Sequence, residues 1–227
     1  MSTPIIVAHR GLHHEHPENS LAAFAAAWEA GLEWCECDVR GSSDDVPFVI
    51  HDETLDRTTR GRGRVDAASS DQLGRLVPTF QQLIESMPSN ARLLVEIKPG
   101  VSPRTVAATM ELCNGRCVVQ SFDPRILTAA AEIRSGIDLK LLVEDARGPI
   151  ARQAGPWSGI NTAFKTMHPR IVETLHARKL AVGVWTVNSQ ADIERILALG
   201  VDTIISDEPQ CVAQLAGKRL AAGAKIG

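Results

Sequence analysis

The sequence predicts a (β/α)8 barrel of the TIM type. Short apolar runs rich in β-branched residues alternate with segments of helical periodicity, about eight such units fit the chain, and the conspicuous polar residues fall at one end of the strands. With 227 residues, 44% of them hydrophobic, the chain can bury one large core. No linker, repeat or low-complexity block interrupts it, so residues 1–227 are expected to form a single barrel domain.

Residues 5–8 read as the first strand. Asn19 or Ser20 can cap a helix that carries Leu21, Phe24, Trp28 and Leu32 at helical spacing and ends near Gly31. Residues 34–39 make the second strand. Residues 48–50 run into His51, and the polar stretch 58–70 forms a short excursion before the helical signal resumes at Pro78-Thr79-Phe80. Residues 93–97, 118–120, 139–143, 159–162, 182–187 and 203–205 complete the strands, with helix-sized segments between them. Pro103, Pro124, Pro169 and Pro209 mark first helical turns. The tail, residues 221–227, is expected to fray.

His9 and Arg10 follow the first strand, Glu36 and Asp38 lie on the second, His51 ends an extended run, and Glu96 and Lys98 close a later strand. The carboxyl ends of barrel strands are where such folds build active sites. Residues two apart on a strand share a face, which puts Glu36 with Asp38 and Glu96 with Lys98, and turns Cys37 and Ile97 toward the helices. Three converging carboxylates raise one another's pKa unless a cation neutralises them. An all-oxygen set favours Mg2+ or Ca2+ over zinc. Arg10 and Lys98 then supply positive charge for a phosphodiester, and His9 and His51 can divide the proton work. The bland alternative is a barrel interior in which Glu36 and Asp38 merely pair with Arg10 or Lys98.

The formal net charge of -3 provides no field for nucleic acid or an anionic membrane. The Arg57 to Arg64 run lacks interleaved aromatics and reads as a loop ordering the barrel mouth. Met1-Ser2-Thr3-Pro4 leads straight into an apolar run with no basic segment before it, which predicts a cytoplasmic protein. Five cysteines, Cys35, Cys37, Cys113, Cys117 and Cys211, fit neither a disulfide framework nor a paired CxxC site and are expected in the core. His13, His14, Glu15 and His16 invite a zinc site, but no spacing among them directs all three histidines inward.

Several motifs occur in a telling order. They are His9-Arg10-Gly11, Pro17-Glu18-Asn19-Ser20 with Phe24 and Ala27, Glu36-Cys37-Asp38-Val39, and His51-Asp52 with Leu55, Arg57-Thr58-Thr59, Gly61 and Gly63. Pro78-Thr79, Glu96-Ile97-Lys98, Gln120-Ser121-Phe122, Trp185-Thr186-Val187-Asn188, and Gly200-Val201-Asp202 leading to Ser206-Asp207 and Pro209 follow. In these motifs the chain resembles the glycerophosphodiester phosphodiesterases over almost its whole length. The resemblance implies His9 and His51 as general acid and base, Glu36, Asp38 and Glu96 as ligands of a divalent Mg2+ or Ca2+, and Arg10 and Lys98 as phosphate holders. It also implies Asn19 near the metal and Trp185 along the glycerol side. The implied reaction converts a small-molecule glycerophosphodiester to glycerol 3-phosphate and an alcohol, with no nucleic acid and no stable membrane association.

Ser20 stands where this family usually has Thr, and Asp45 where a turn Gly is common; both are mild departures. The path from Gly63 to Pro78 is shorter than the usual capping insertion, which predicts an open, shallow mouth. Two other readings stay open. A sphingomyelinase D-like or lysophospholipase D-like lipid phosphodiesterase would want an apolar loop surface, and a catalytically silent barrel binding phosphorylated metabolites would need no acid and base pair.

Overall fold

The computed structural model describes residues 3–148 and 150–223. In chain order, β1 (Ile5–Ala8), α1 (Leu21–Glu29), β2 (Trp34–Gly41), β3 (Pro47–Val49), α2 (Ser70–Leu73), α3 (Phe80–Ser86), β4 (Arg92–Ile97), α4 (Pro103–Leu112) and β5 (Cys117–Ser121) make the first half. α5 (Pro124–Ile133), β6 (Asp138–Val143), β7 (Gly159–Ala163), α6 (Pro169–Ala177), β8 (Ala181–Trp185), α7 (Gln190–Leu199), β9 (Thr203–Ser206) and α8 (Pro209–Gly223) make the second. β2 and β4 through β9 pair in parallel, and β1 pairs with both β2 and β9, so the sheet closes on itself. That is the expected eight-stranded barrel. β3 stands outside it, antiparallel to the end of β2 through Val39↔Val49 and Gly41↔Pro47.

Helix starts follow local chemistry. Ser20, not Asn19, caps α1 by accepting the Ala23 N–H at 3.2 Å. α2 and α3 begin in reciprocal capping boxes, Ser69 with Gln72 and Thr79 with Gln82. α4, α5, α6 and α8 each begin at proline, whose missing N–H costs nothing in a first turn.

Four expectations change. α1 stops at Glu29, so Leu32 packs from beyond the helix. Among its described residues the segment between β6 and β7 holds only a short 3-10 turn, Ile150–Arg152, because Asp145, Gly148, Gly155 and Pro156 interrupt any helical period there. The polar excursion contains a 3-10 turn, Val65–Ala67, and α2, resting on a small core of Phe48, Ile50, Leu55, Val65 and Leu73. β8 ends at Trp185 rather than Val187. Of the tail expected to fray, residues 221–223 continue α8 and residues 224–227 lie outside the described residues.

The main core lies between barrel and helices. Outward strand residues Cys35, Cys37, Val39, Val95 and Ile97 meet Phe24, Phe80 and Leu83 there. Each valine, isoleucine, leucine or phenylalanine among them contributes about 1.5–3 kcal/mol on burial. Four of the cysteines are buried and all five are free, Cys37 among those turned outward as the alternation predicts. Inside the barrel, Val7, Leu94 and Ile205 fill the middle, leaving its carboxyl end to polar groups. Among the described residues no helix is long and apolar enough to cross a membrane.

Candidate active site

Strand register assembles the acidic cluster. β2 and β4 pair Asp38 with Glu96, and Glu36 lies two residues earlier on the same face as Asp38. Ligand oxygens of Glu36, Asp38 and Glu96 lie within 4.8 Å of one another, all buried. Burial, then Asp38 and Glu96, pushes the Glu36 carboxyl well above its ordinary range. Burial and Asp38 likewise push Glu96 up, to about 7. Asp38 goes the other way: burial opposes its charge, but Lys98, Arg10 and His51 hold it ionised.

Two cations face these three carboxylates. Lys98 Nζ is 2.7 Å from Asp38 Oδ1 and 2.7 Å from Glu96 Oε1, and Arg10 Nε is 3.1 Å from Asp38 Oδ2. The bland pairing therefore exists, yet it is incomplete. Asp38 Oδ1, Glu96 Oε1 and Arg10 Nε are buried without a well-directed hydrogen bond, so these contacts are close in distance and poor in angle. Three carboxylates share two cations, and without a metal the Glu36 and Glu96 carboxyls hold their protons to higher pH than usual. Unsatisfied carboxylate oxygens invite a cation, and an unsatisfied guanidinium N–H invites an anion. The residues fit a hard divalent ion with oxygen ligands.

The loop after β1 places two more groups. Arg10 and Gly11 both adopt left-handed backbone, at φ +56° and +80°. A Cβ on Gly11 would lie 2.6 Å from the Ala23 backbone carbon, so only glycine fits. The Arg10 N–H donates to Glu36 Oε2 at 3.2 Å, and Asn19 Nδ2 donates to Asp38 Oδ2 at 2.8 Å, placing Asn19 beside the cluster as the resemblance implies.

Each histidine leans on an aspartate. His9 Nδ1 is 2.7 Å from Asp207 Oδ1, and His51 Nδ1 is 2.7 Å from Asp52 Oδ1, which leaves each Nε2 free for chemistry. Burial, then Lys98 and Arg10, pulls His51 below its ordinary value against the opposing effect of Asp38. Asp52 takes two hydrogen bonds from Arg57, at 2.7 and 2.9 Å; Arg57 also holds Glu18, which accepts from Arg10 Nη1 at 2.8 Å. Hydrogen bonds from His13, His9 and Asn188 outweigh burial at Asp207 and keep it ionised.

One pocket is lined by His9, Arg10, Glu36, His51, Glu96, Lys98 and Trp185, with Asp38 buried against Lys98. All eight residues predicted for the site thus come together. Phe122, Leu142, Glu144 and Ile205 also line it, and Phe122 meets Trp185 edge to face at 5.7 Å. Sequence reading missed the roles of Asp207 and of the Asp52, Arg57 and Glu18 chain, although the motifs contained them. A neighbouring depression lined by Arg40, Ser42, Glu53, Arg64 and Asp66 contains none of the predicted site residues.

Known proteins share this arrangement of chain and fold. A glycerophosphodiester phosphodiesterase of Caldanaerobacter subterraneus subsp. tengcongensis is 28% identical over 94% of this chain and 98% of its own length. The structure of an Oleispira antarctica phosphodiesterase, in complex with the product sn-glycerol-3-phosphate, superposes with a TM-score of 0.87 at 25% identity, covering 94% of this chain and 96% of that one. A glycerophosphodiester phosphodiesterase from Agrobacterium tumefaciens gives a TM-score of 0.80 at 29% identity, over 94% and 99% of the two chains. The family model for the glycerophosphoryl diester phosphodiesterases matches residues 9–211, from the first of the pocket histidines into the last helix, and the chain belongs to that family.

Proposed function

We propose that this chain hydrolyses glycerophosphodiesters to glycerol 3-phosphate and an alcohol, with a divalent cation, Mg2+ or Ca2+, held by Glu36, Asp38 and Glu96. One observation carries the reading: an under-compensated acidic triad and two aspartate-oriented imidazoles open into the same pocket. The product bound by the Oleispira relative supports a glycerol phosphate on one side of the scissile bond. When bound, the cation supplies charge neutralisation and polarises a phosphoryl oxygen.

Arg10 and Lys98 bind the remaining phosphoryl oxygens and offset charge as it builds. His51, held neutral by its surroundings, takes a proton at Nε2 from the water that attacks phosphorus. His9 is left to protonate the departing alkoxide. Trp185, whose buried Nε1 has no partner, offers an apolar face and one donor to the glycerol moiety.

The test uses metal-stripped protein with glycerophosphocholine, glycerophosphoethanolamine and lysophosphatidylcholine, following glycerol 3-phosphate or lysolipid turnover with and without added Mg2+ or Ca2+. Metal-dependent release from the water-soluble diesters is expected. Turnover of lysolipid alone would replace this reading with a lipid phosphodiesterase, and silence on all three with either metal would leave a binding protein.

A further inference from the structure

We propose that His9, His13 and Asp207 form a second cation site, for a nitrogen-preferring metal such as Zn2+, and that filling it switches off the hydrolysis proposed above, on which its inhibitory meaning rests. The sequence argues against a zinc site among His13, His14 and His16 because they cannot converge. They do not: His14 turns to Glu208, at 3.2 Å. Convergence comes from the two ends of the chain instead. The left-handed turn at Arg10 and Gly11 brings His13 back over the β1 end, and the carboxyl end of β9 delivers Asp207 beside it.

The geometry is close to a ligand set. His9, His13 and Asp207 each offer one ligand atom, all within 4.8 Å of one another. His9 Nδ1 and His13 Nε2 lie 2.7 and 3.1 Å from the same oxygen, Asp207 Oδ1, so a small outward shift of the rings admits an ion. Two imidazoles and one carboxylate, with room for water, are a zinc-type donor set and contrast with the all-oxygen triad deeper in the barrel. The carboxylate is already oriented from behind: Asn188 Nδ2 donates to Asp207 Oδ2 at 2.6 Å, and the Asp207 N–H donates to Asn188 Oδ1 at 2.9 Å. Side-chain exposures of 18%, 23% and 26% for His9, His13 and Asp207 let an ion enter from solvent without opening the barrel.

His13 does not line the pocket and reaches the chemistry only through Asp207. A cation on His9 Nδ1, by contrast, removes the hydrogen bond to Asp207 and sets a positive charge on the ring that must exchange a proton at Nε2. With the metal on Nδ1 the ring can no longer form the imidazolium that would protonate the leaving alkoxide, so occupation opposes that step.

The test titrates Zn2+ into the full chain saturated with Mg2+, by calorimetry and by glycerophosphocholine hydrolysis in parallel, for wild type and His13→Gln. Wild type is expected to bind one Zn2+ that His13→Gln binds at least about tenfold more weakly, with inhibition, taken relative to each protein's own zinc-free rate, shifted by the same factor. Equal zinc affinity and equal inhibition in both proteins would overturn the proposal, as would a wild type that binds no zinc. A wild type that binds zinc through His13 yet hydrolyses nothing would keep the metal site and remove the hydrolase reading.

Discussion

The two histidine–aspartate pairs at the mouth have the same length and opposite construction. His51 and Asp52 are neighbours in sequence, and Asp52 is clamped by Arg57, whose other hydrogen bonds reach Glu18 and through it Arg10. His9 and Asp207 are 198 residues apart and meet only because β1 and β9 close the barrel. Arg57 answers the charge of Asp52, whereas Asp207 is answered by an amide and two imidazoles. The difference gives His51 a fixed, neutral setting suited to accepting a proton, and leaves His9 dependent on a carboxylate that other groups also contact.

The largest effects test whether the two pairs do different work. His9→Ala and His51→Ala are each expected to lower kcat on glycerophosphocholine by about 10²–10⁴-fold. On a diester with a nitrophenol leaving group, which departs without help, His9→Ala should recover most of its rate and His51→Ala should not. Equal recovery in both variants would erase the division of labour. Next in size, Asp207→Asn should cost more than Asp52→Asn, about 10²-fold against about tenfold, because the charge of Asp52 is already shared with Arg57 whereas Asp207 is met by an amide and two imidazoles. Steady-state kinetics of the two variants decide it, and the reverse order would show that the local clamp matters more than the seam.

A pH comparison sharpens the contrast between His51 and the carboxylates beneath it. His51 is depressed below its ordinary 6.5, so its protonation removes activity as pH falls, and that limb should lie below pH 6.5. Glu96 has the opposite sign. In the metal-free folded chain it keeps its proton up to about 7, whereas the unfolded chain releases it near 4.5. Its contribution to stability therefore declines as pH rises from about 4.5 to about 7, since the folded state binds more protons there. Thermal melts should show Mg2+ or Ca2+ raising Tm by several degrees at pH 8 and by less at pH 5. An equal gain at both would place the cation elsewhere. The smallest effect is a control: Thr79→Ala removes the α3 cap without touching the pocket lining, and should cost about 1 kcal/mol in denaturant melts with kcat little changed.

Legibility followed the same division between local and distant. Period-two alternation on β2 and β4 is a local property, so Glu36, Asp38, Glu96 and Lys98 could be assigned to one face from sequence, and the parallel register then placed Asp38 against Glu96. Ser20 and the prolines at 103, 124, 169 and 209 announced helix starts because capping depends on the nearest three or four residues. The chain from 144 to 158 is helix-sized by length, but its Gly and Pro content overrides that. The cluster of His9, His13 and Asp207 depends on barrel closure and on a left-handed turn at a residue, Arg10, that ordinarily avoids it. No spacing in the sequence encodes that meeting. The small core under the excursion was hidden for a related reason: Phe48, Leu55 and Leu73 are too far apart in sequence to show a period.

The central claim is that Glu36, Asp38 and Glu96 hold the cation on which hydrolysis depends. It is tested most directly by titrating Mg2+ or Ca2+ into metal-stripped wild type and Glu36→Gln, recording binding by calorimetry and glycerophosphocholine hydrolysis on the same samples. One cation per wild-type chain is expected, with hydrolysis that rises along the same saturation curve and loss of both in Glu36→Gln. Full hydrolysis by wild type in excess chelator, or undiminished cation binding and turnover in Glu36→Gln, would contradict it.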